Sequence, residues 1–300
     1  MDVNRRDLFK LGGSTALAIG LSQVSALKNS FASEPVKGGA DVYAFHCGIL
    51  KTQTQYILKD TRIGVPFDIP VPFFLINHGK DWVAYDTGNN AQVAVDPIKY
   101  WSQPVCDAYM PVMEPHEEFS IQIKKLGLTP QKLHSVIISH GHLDHCGAID
   151  HLAGSKVPAY FQRTEMEWIK KQVATGKQTA YIPADFKKID QVNVQLLDGC
   201  FDVFGDGSVV VFPTVGHTPG HQSVLVRTNA GQNLILAQDA CYTLENMVAS
   251  IPPGLAHDIP DSLTNIYHFK AMSVIGGQIV PPHDPDWWVG KPLAPQKFKI

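Results

Sequence analysis

Three histidines and an aspartate fall within six residues at His140-Gly141-His142-Leu143-Asp144-His145, directly after the apolar run Ser135-Val136-Ile137-Ile138-Ser139. On a helix, with a period of 3.6, positions 140, 142, 144 and 145 would point to scattered faces. The run before them is short, apolar and β-branched, which predicts a buried strand. A tight loop leaving that strand can turn all four side chains around one centre. Neutral imidazoles and carboxylates are the donors that suit zinc and similar divalent ions.

Three later residues repeat the placement. His217 follows an apolar run inside Val215-Gly216-His217-Thr218-Pro219-Gly220, Asp239 ends Leu234-Ile235-Leu236-Ala237-Gln238, and His283 follows Val280-Pro281-Pro282. Each is a polar donor at the exit of an apolar strand. A buried carboxylate there is costly unless it is paired or bound to metal, so the pattern predicts one shared site on one sheet edge. His221, which opens the next strand, reads as a structural or supporting residue.

The chain around these points reads as short strands alternating with fewer helices. Val71–Asn77 and Trp82–Asp86 flank a His78-Gly79-Lys80-Asp81 turn, which predicts a hairpin. Further strands are expected at 158–161, 192–197, 209–212, 222–227, 234–237 and 277–280, with helices near 163–172 and 261–275. Residues 97–119, rich in Pro, Met and aromatics without clean periodicity, read as a loop region able to cover a site. Phe73, Phe74, Tyr109 and Met110 are candidate apolar walls.

The N-terminus has the layout of a removable export signal over residues 1–32: Arg5-Arg6, then a modest apolar run from Leu11 to Leu21, then small residues. The paired arginines resemble the twin-arginine type, which implies the twin-arginine export machinery as a partner. The apolar run is too short to span a bilayer, which takes about 20 residues, so no stable membrane anchor is expected. The product is expected in the periplasm or secreted after cleavage. Residues 33–40 read as a flexible lead-in and 41–300 as one folded domain. Five scattered cysteines imply no disulfide framework. A net charge of −3 gives no reason to expect nucleic acid as a partner.

His-x-His-x-Asp-His, then a lone His, an Asp and a last His, resembles the metallo-β-lactamase fold superfamily. Asp86-Thr87-Gly88 resembles that group's early Asp-Thr-Gly turn. The resemblance implies an α/β fold, an αββα sandwich of two mixed sheets flanked by helices. It implies two divalent metal ions, zinc first among them: His140, His142 and His217 on one, Asp144, His145 and His283 on the other, and Asp239 bridging. Asp239-Ala240-Cys241-Tyr242 resembles the Asp-x-x-Tyr element of N-acyl-homoserine lactonases, where the phenol reaches the substrate. Cys146-Gly147-Ala148 departs from the Ala-Gly-Gly usual there.

The likeness implies hydrolysis of a small-molecule lactone or ester, with N-acyl-homoserine lactone as the first substrate and a metal-bridging hydroxide as nucleophile. Asp144 and Tyr242 are then the catalytic side chains, and a homodimer is compatible with the reading. Asp284 is a candidate to fix a histidine tautomer, while Cys146 and Cys241 read as packing. The rival readings are a glyoxalase-II-type thioesterase, an arylesterase or phosphotriesterase, and a β-lactamase, whose commonest type has cysteine where Asp239 stands. Outside hydrolysis the alternatives are a redox di-iron protein on this fold, which usually carries an acidic ligand at the His142 position, and a non-enzymatic metal-binding protein.

Overall fold

The computed structural model describes residues 38–300; the signal reading of 1–32 and positions 33–37 of the lead-in lie outside the described residues. The first seven strands are β1 (Asp41–Gln53), β2 (Pro66–His78), β3 (Asp81–Tyr85), β4 (Met110–Val112), β5 (Ser135–Ile137), β6 (Pro158–Gln162) and β7 (Asn193–Leu197). They form one sheet in the order β4-β1-β2-β3-β5-β6-β7. The next five are β8 (Phe201–Asp202), β9 (Val209–Pro213), β10 (Gln222–Arg227), β11 (Asn233–Leu236) and β12 (Gly277–Val280), and their sheet runs β12-β11-β10-β9-β8. Both sheets are mixed, with parallel pairing from β3 through β5 and β6 to β7, and between β11 and β12.

Strand alternation sorts the first sheet between two cores. Val42, Ala44, Phe74, Ile76, Val83 and Tyr85 face the second sheet and meet Val209, Val211, Val224, Val226 and Leu234. Phe45, Val71, Phe73, Leu75 and Ala84 turn the other way, onto Phe119, Met166 and Ile169. Each of the valine, leucine, isoleucine, methionine and phenylalanine side chains contributes about 1.5–3 kcal/mol by leaving water. On the far side of the second sheet the helix Ile259–Val274 buries Ile266, Phe269 and Met272. The layers therefore run helix, sheet, sheet, helix, the expected αββα sandwich.

Two expectations change here. Phe73 and Phe74 are neighbours on β2, so they point to opposite faces and are fully buried in different cores, not in a ligand wall. Residues 97–119 are not a plain loop. They form helices Pro97–Trp101 and Gln103–Ala108, each with proline in its first turn, then β4 paired to β1. Proline suits a first turn because its missing N–H has no helical partner there anyway.

The topology also explains why distant loops meet. β3 and β5 are parallel, so both end on one edge. β9 and β11 are each antiparallel to β10, and β12 is parallel to β11, so these three also end together. Gln222 laces the two edges: its N–H donates to the Ser139 carbonyl at 3.0 Å and its Nε2 to that of Ile138 at 2.7 Å, while its own carbonyl accepts from the Tyr85 hydroxyl at 2.7 Å.

Candidate metal centre

The exits of β5, β9, β11 and β12 carry all seven candidate donors to that edge. One set is His140, His142, His217 and Asp239; the other is Asp144, His145 and His283, and every member is buried. Within the first set, Nε2 of His217 lies 3.1 Å from Nε2 of His140, 2.9 Å from Nδ1 of His142 and 3.1 Å from Oδ2 of Asp239. In the second, Nε2 of His145 lies 3.6 Å from Oδ2 of Asp144, and Nε2 of His283 lies 3.8 Å from it. Asp239 turns its other oxygen, Oδ1, to this second set, 3.0 Å from Nε2 of both His145 and His283. One carboxylate therefore faces both groups.

Hydrogen bonding at the back of each ring fixes which nitrogen faces inward. Nδ1 of His217 donates to the Leu255 carbonyl at 2.6 Å, and Nδ1 of His283 donates to the Pro70 carbonyl at 2.8 Å. A carbonyl only accepts, so in a neutral ring these bonds leave Nε2 with a bare lone pair. Nδ1 of His145 meets Oδ2 of Asp86 at 2.8 Å. Ser139 Oγ donates to the same Asp86 oxygen at 2.8 Å and accepts from Nδ1 of His140 at 3.0 Å. His142 is turned the other way and presents Nδ1. Nε2 of His145 is buried with no hydrogen-bond partner among the described residues.

Inward lone pairs about 3 Å from one another and from a carboxylate repel unless a cation lies among them. A tetrahedral ion with donors about 2.0–2.1 Å away holds them about 3.3 Å apart, close to the spacings of the first set. Outward N–H groups tied to carboxylate or carbonyl are also the usual support of metal-binding histidines. The donor set thus fits a pair of divalent ions, with Asp239 shared. Burial and the neighbouring imidazoles hold His140 and His142 well below the usual histidine range, so both rings stay neutral. Burial works against the Asp239 charge, but His145, the largest opposing influence, outweighs it and holds that carboxyl well below its ordinary value.

Two supporting residues have roles that the sequence reading did not assign. Asp86, just past β3, accepts from Ser139 N at 2.6 Å, from Ser139 Oγ, from His145 and from Gln238 Nε2. Asp86 (φ +63°) and Gln238 (φ +44°) both occupy the left-handed region, at about 1–2 kcal/mol for an L-residue, and hold each other there. Its signal was present, since Asp86 too is a carboxylate at an apolar strand exit. Glu165 is the other. It lies in the first turn of the helix Arg163–Ala174, fully buried. One oxygen accepts from Gly141 N at 2.9 Å and Tyr181 Oη at 3.2 Å; the other accepts from Thr218 Oγ1 at 2.6 Å and Gly220 N at 3.1 Å. Nothing in its local sequence marks it. Asp284 does not support a donor: it caps the helix Pro285–Trp288 and accepts from Leu244 N at 2.9 Å. His221, beside His140, is held by Thr214 Oγ1 at 2.8 Å, and Cys146 and Cys241 are buried.

A small pocket opens over the cluster. His142, Asp144, Asp239 and His283 reach it, and Leu50, Ile57, Ile69, Leu143 and Leu255 form its apolar walls together with Tyr109 and Tyr242. Met110 does not line it and packs against the core instead. The Tyr242 hydroxyl lies 3.3 Å from Nδ1 of His217. That nitrogen already carries the proton donated to Leu255, so the phenol can only accept there and its O–H turns elsewhere, with the Asp239 carboxylate close by. Burial, with Asp239 close by, pushes the Tyr242 phenol well up and keeps it protonated.

Residues 67–271 match the model of the Metallo-beta-lactamase superfamily. An N-acyl homoserine lactonase, AttM of Azorhizobium caulinodans, is 35% identical over 259 residues, covering 85% of this chain and 97% of that protein. Among solved structures, an N-acyl homoserine lactone hydrolase with N-hexanoyl-L-homoserine at its catalytic metal centre superposes with a TM-score of 0.77 at 23% identity, covering 87% of this chain and 99% of that one. AidC, a dizinc quorum-quenching lactonase, superposes with a TM-score of 0.62 at 13% identity, covering 89% and 95%. At those identities the two structures speak for the fold.

Proposed function

The chain belongs to the metallo-beta-lactamase superfamily, and from that premise we propose that it is a dinuclear metallohydrolase that opens lactone rings, with N-acyl homoserine lactones as its substrate class. The observation that carries the reading is the seven-donor cluster, with Asp239 facing both sets, at the base of an apolar cavity that Tyr242 also lines. Zinc is the proposed ion, on the strength of the imidazole and carboxylate donors. Two such ions supply, when bound, a water whose pKa falls from about 15.7 towards ~7 and a Lewis acid for the ester carbonyl.

The chain's own residues do the rest. The apolar walls exclude water and receive an acyl chain. Tyr242 donates its O–H to the oxygen on which charge develops. Asp144 lies farther from the imidazole nitrogens than Asp239 and reaches the cavity. Its carboxylate takes the proton released by the attacking water and returns it to the alkoxide that leaves. The ring C–O bond breaks, a new C–O bond forms to water oxygen, and the product is a hydroxy acid.

A substrate panel on one preparation of known metal content tests this. N-acyl homoserine lactones should give the highest kcat/KM, ahead of simple lactones, thioesters, β-lactams and phosphotriesters. A thioester or β-lactam ranking first, or full lactone opening by metal-free protein, would remove the proposal. Tyr242→Phe should keep its metal and lose kcat by roughly 10²-fold, the effect of one missing donor to developing charge. Unchanged kcat in that variant would take Tyr242 out of the chemistry.

We also read 41–300 as the hydrolase domain and 1–32 as a twin-arginine signal, which makes the working enzyme periplasmic or secreted. Sequencing the N-terminus of the mature protein decides this: cytoplasmic protein that still begins at Met1 would refute it. A homodimer completes the reading, and light scattering that returns the mass of one chain would remove that part.

A further inference from the structure

The cavity over the cluster holds two phenols, and only Tyr242 has a role in the chemistry above. Tyr109 is the other. Its backbone is fixed from both sides: its N–H caps the helix Gln103–Ala108 by donating to the Val105 carbonyl at 2.9 Å, and Met110, the next residue, pairs with Lys51 of β1. Thr52 Oγ1 holds the preceding carbonyl, that of Ala108, at 2.8 Å, and the Tyr56 ring lies 5.6 Å from the Tyr109 ring. The phenol is therefore a preset group on a rigid frame.

Its hydroxyl makes no hydrogen bond among the described residues, and it is not one of the polar atoms sealed away from solvent. It opens into the cavity between apolar walls. A wall alone would be served as well by phenylalanine, and a hydroxyl that solvent reaches but no described residue engages is available to a ligand acceptor. Burial and the carboxylates of Asp144 and Asp239 push this phenol up, so it acts as a donor. The donor thus stands in the same cavity as the metal cluster and as Tyr242, on a different element of the fold.

We propose that the Tyr109 hydroxyl donates a hydrogen bond to a second acceptor of the substrate, the exocyclic amide carbonyl of an acylamino lactone, and so selects amide-bearing lactones over plain ones. This rests on the lactonase reading and assigns Tyr109 to specificity. No bond is made or broken at Tyr109, so it positions the substrate and takes no part in the chemistry.

The test compares wild type with Tyr109→Phe on N-hexanoyl homoserine lactone and on an α-alkyl-γ-butyrolactone of matching length that lacks the amide. The variant should raise KM for the amide substrate roughly tenfold, the worth of one hydrogen bond at a desolvated site. Its kcat and metal content should hold, and KM for the amide-free lactone should stay within about twofold. Equal losses on both substrates would make Tyr109 a packing residue and overturn the proposal, as would no loss on either. A wild-type enzyme that opens neither lactone would instead overturn the lactonase reading, and this proposal with it.

Discussion

Asp239→Ala should leave the protein with at most one metal ion per chain and lower lactone turnover by roughly 10³-fold or more. The expectation rests on the two oxygens of one side chain. Oδ2 lies 3.1 Å from His217 and 3.5 Å from His140, while Oδ1 lies 3.0 Å from His145 and from His283. No other carboxylate among the described residues faces both donor sets, so its loss weakens both ion positions at once. It also removes the carboxylate charge that would balance the ions between the imidazoles. Changing an outer supporting residue of a metal site costs about 10–100-fold, and a shared donor exceeds that. His142→Ala is the matched control, because His142 belongs to the first set only. It should empty one position and spare the other. Elemental analysis and turnover on the same sample check both variants. Two retained ions and unimpaired turnover in Asp239→Ala would refute the shared-carboxylate arrangement.

The parts of this site that were legible in the sequence share one physical signal. A donor at the exit of an apolar strand is visible as a sharp change from β-branched residues to His or Asp. That signal exposes His140 to His145, His217, Asp239 and His283, and the parallel ends of β3, β5, β9, β11 and β12 explain why it works. Asp86 carries the same signal, but its partners Ser139, His145 and Gln238 lie 53, 59 and 152 residues away. Only the folded edge shows what it holds. β1 was hidden for a different reason. Its register slips between His46 and Ile49, around Gly48 at φ +77°, and the slip breaks the alternation that would reveal a strand of 13 residues. Phe73 and Phe74 show that alternation can also be overlooked when it is plain. Two consecutive strand residues cannot share one wall.

Glu165 had no local signal at all, and its replacement tests how much of the site depends on parts that make no contact with metal. Glu165→Gln should weaken metal binding by roughly 10–100-fold and lower the Tm. The carboxylate receives four donors and fastens two donor-bearing loops together: Gly141 sits between His140 and His142, and Thr218 and Gly220 come just after His217. The fit is close on the backbone as well. A Cβ at Gly220 would run into the backbone and Cβ of Glu165, and one at Gly141 would meet Ile169 and Tyr181 at 2.5–2.9 Å. Glutamine keeps the length but turns an NH₂ towards two buried donors. Each donor left unmet costs about 1–3 kcal/mol. A total near ~3 kcal/mol corresponds to a Tm fall of roughly 6–12 °C in a domain of this size. Melting with and without added zinc, beside a zinc titration, separates the two consequences. A fold that merely loosens lowers both melting curves equally and leaves zinc affinity alone. Loops that drift apart weaken zinc binding and narrow the gap between the curves. The second result is expected, because the bonds that Glu165 receives lie beside donors of one ion and none lies in the sheets. Wild-type zinc affinity in Glu165→Gln would show that the loops hold their places without it.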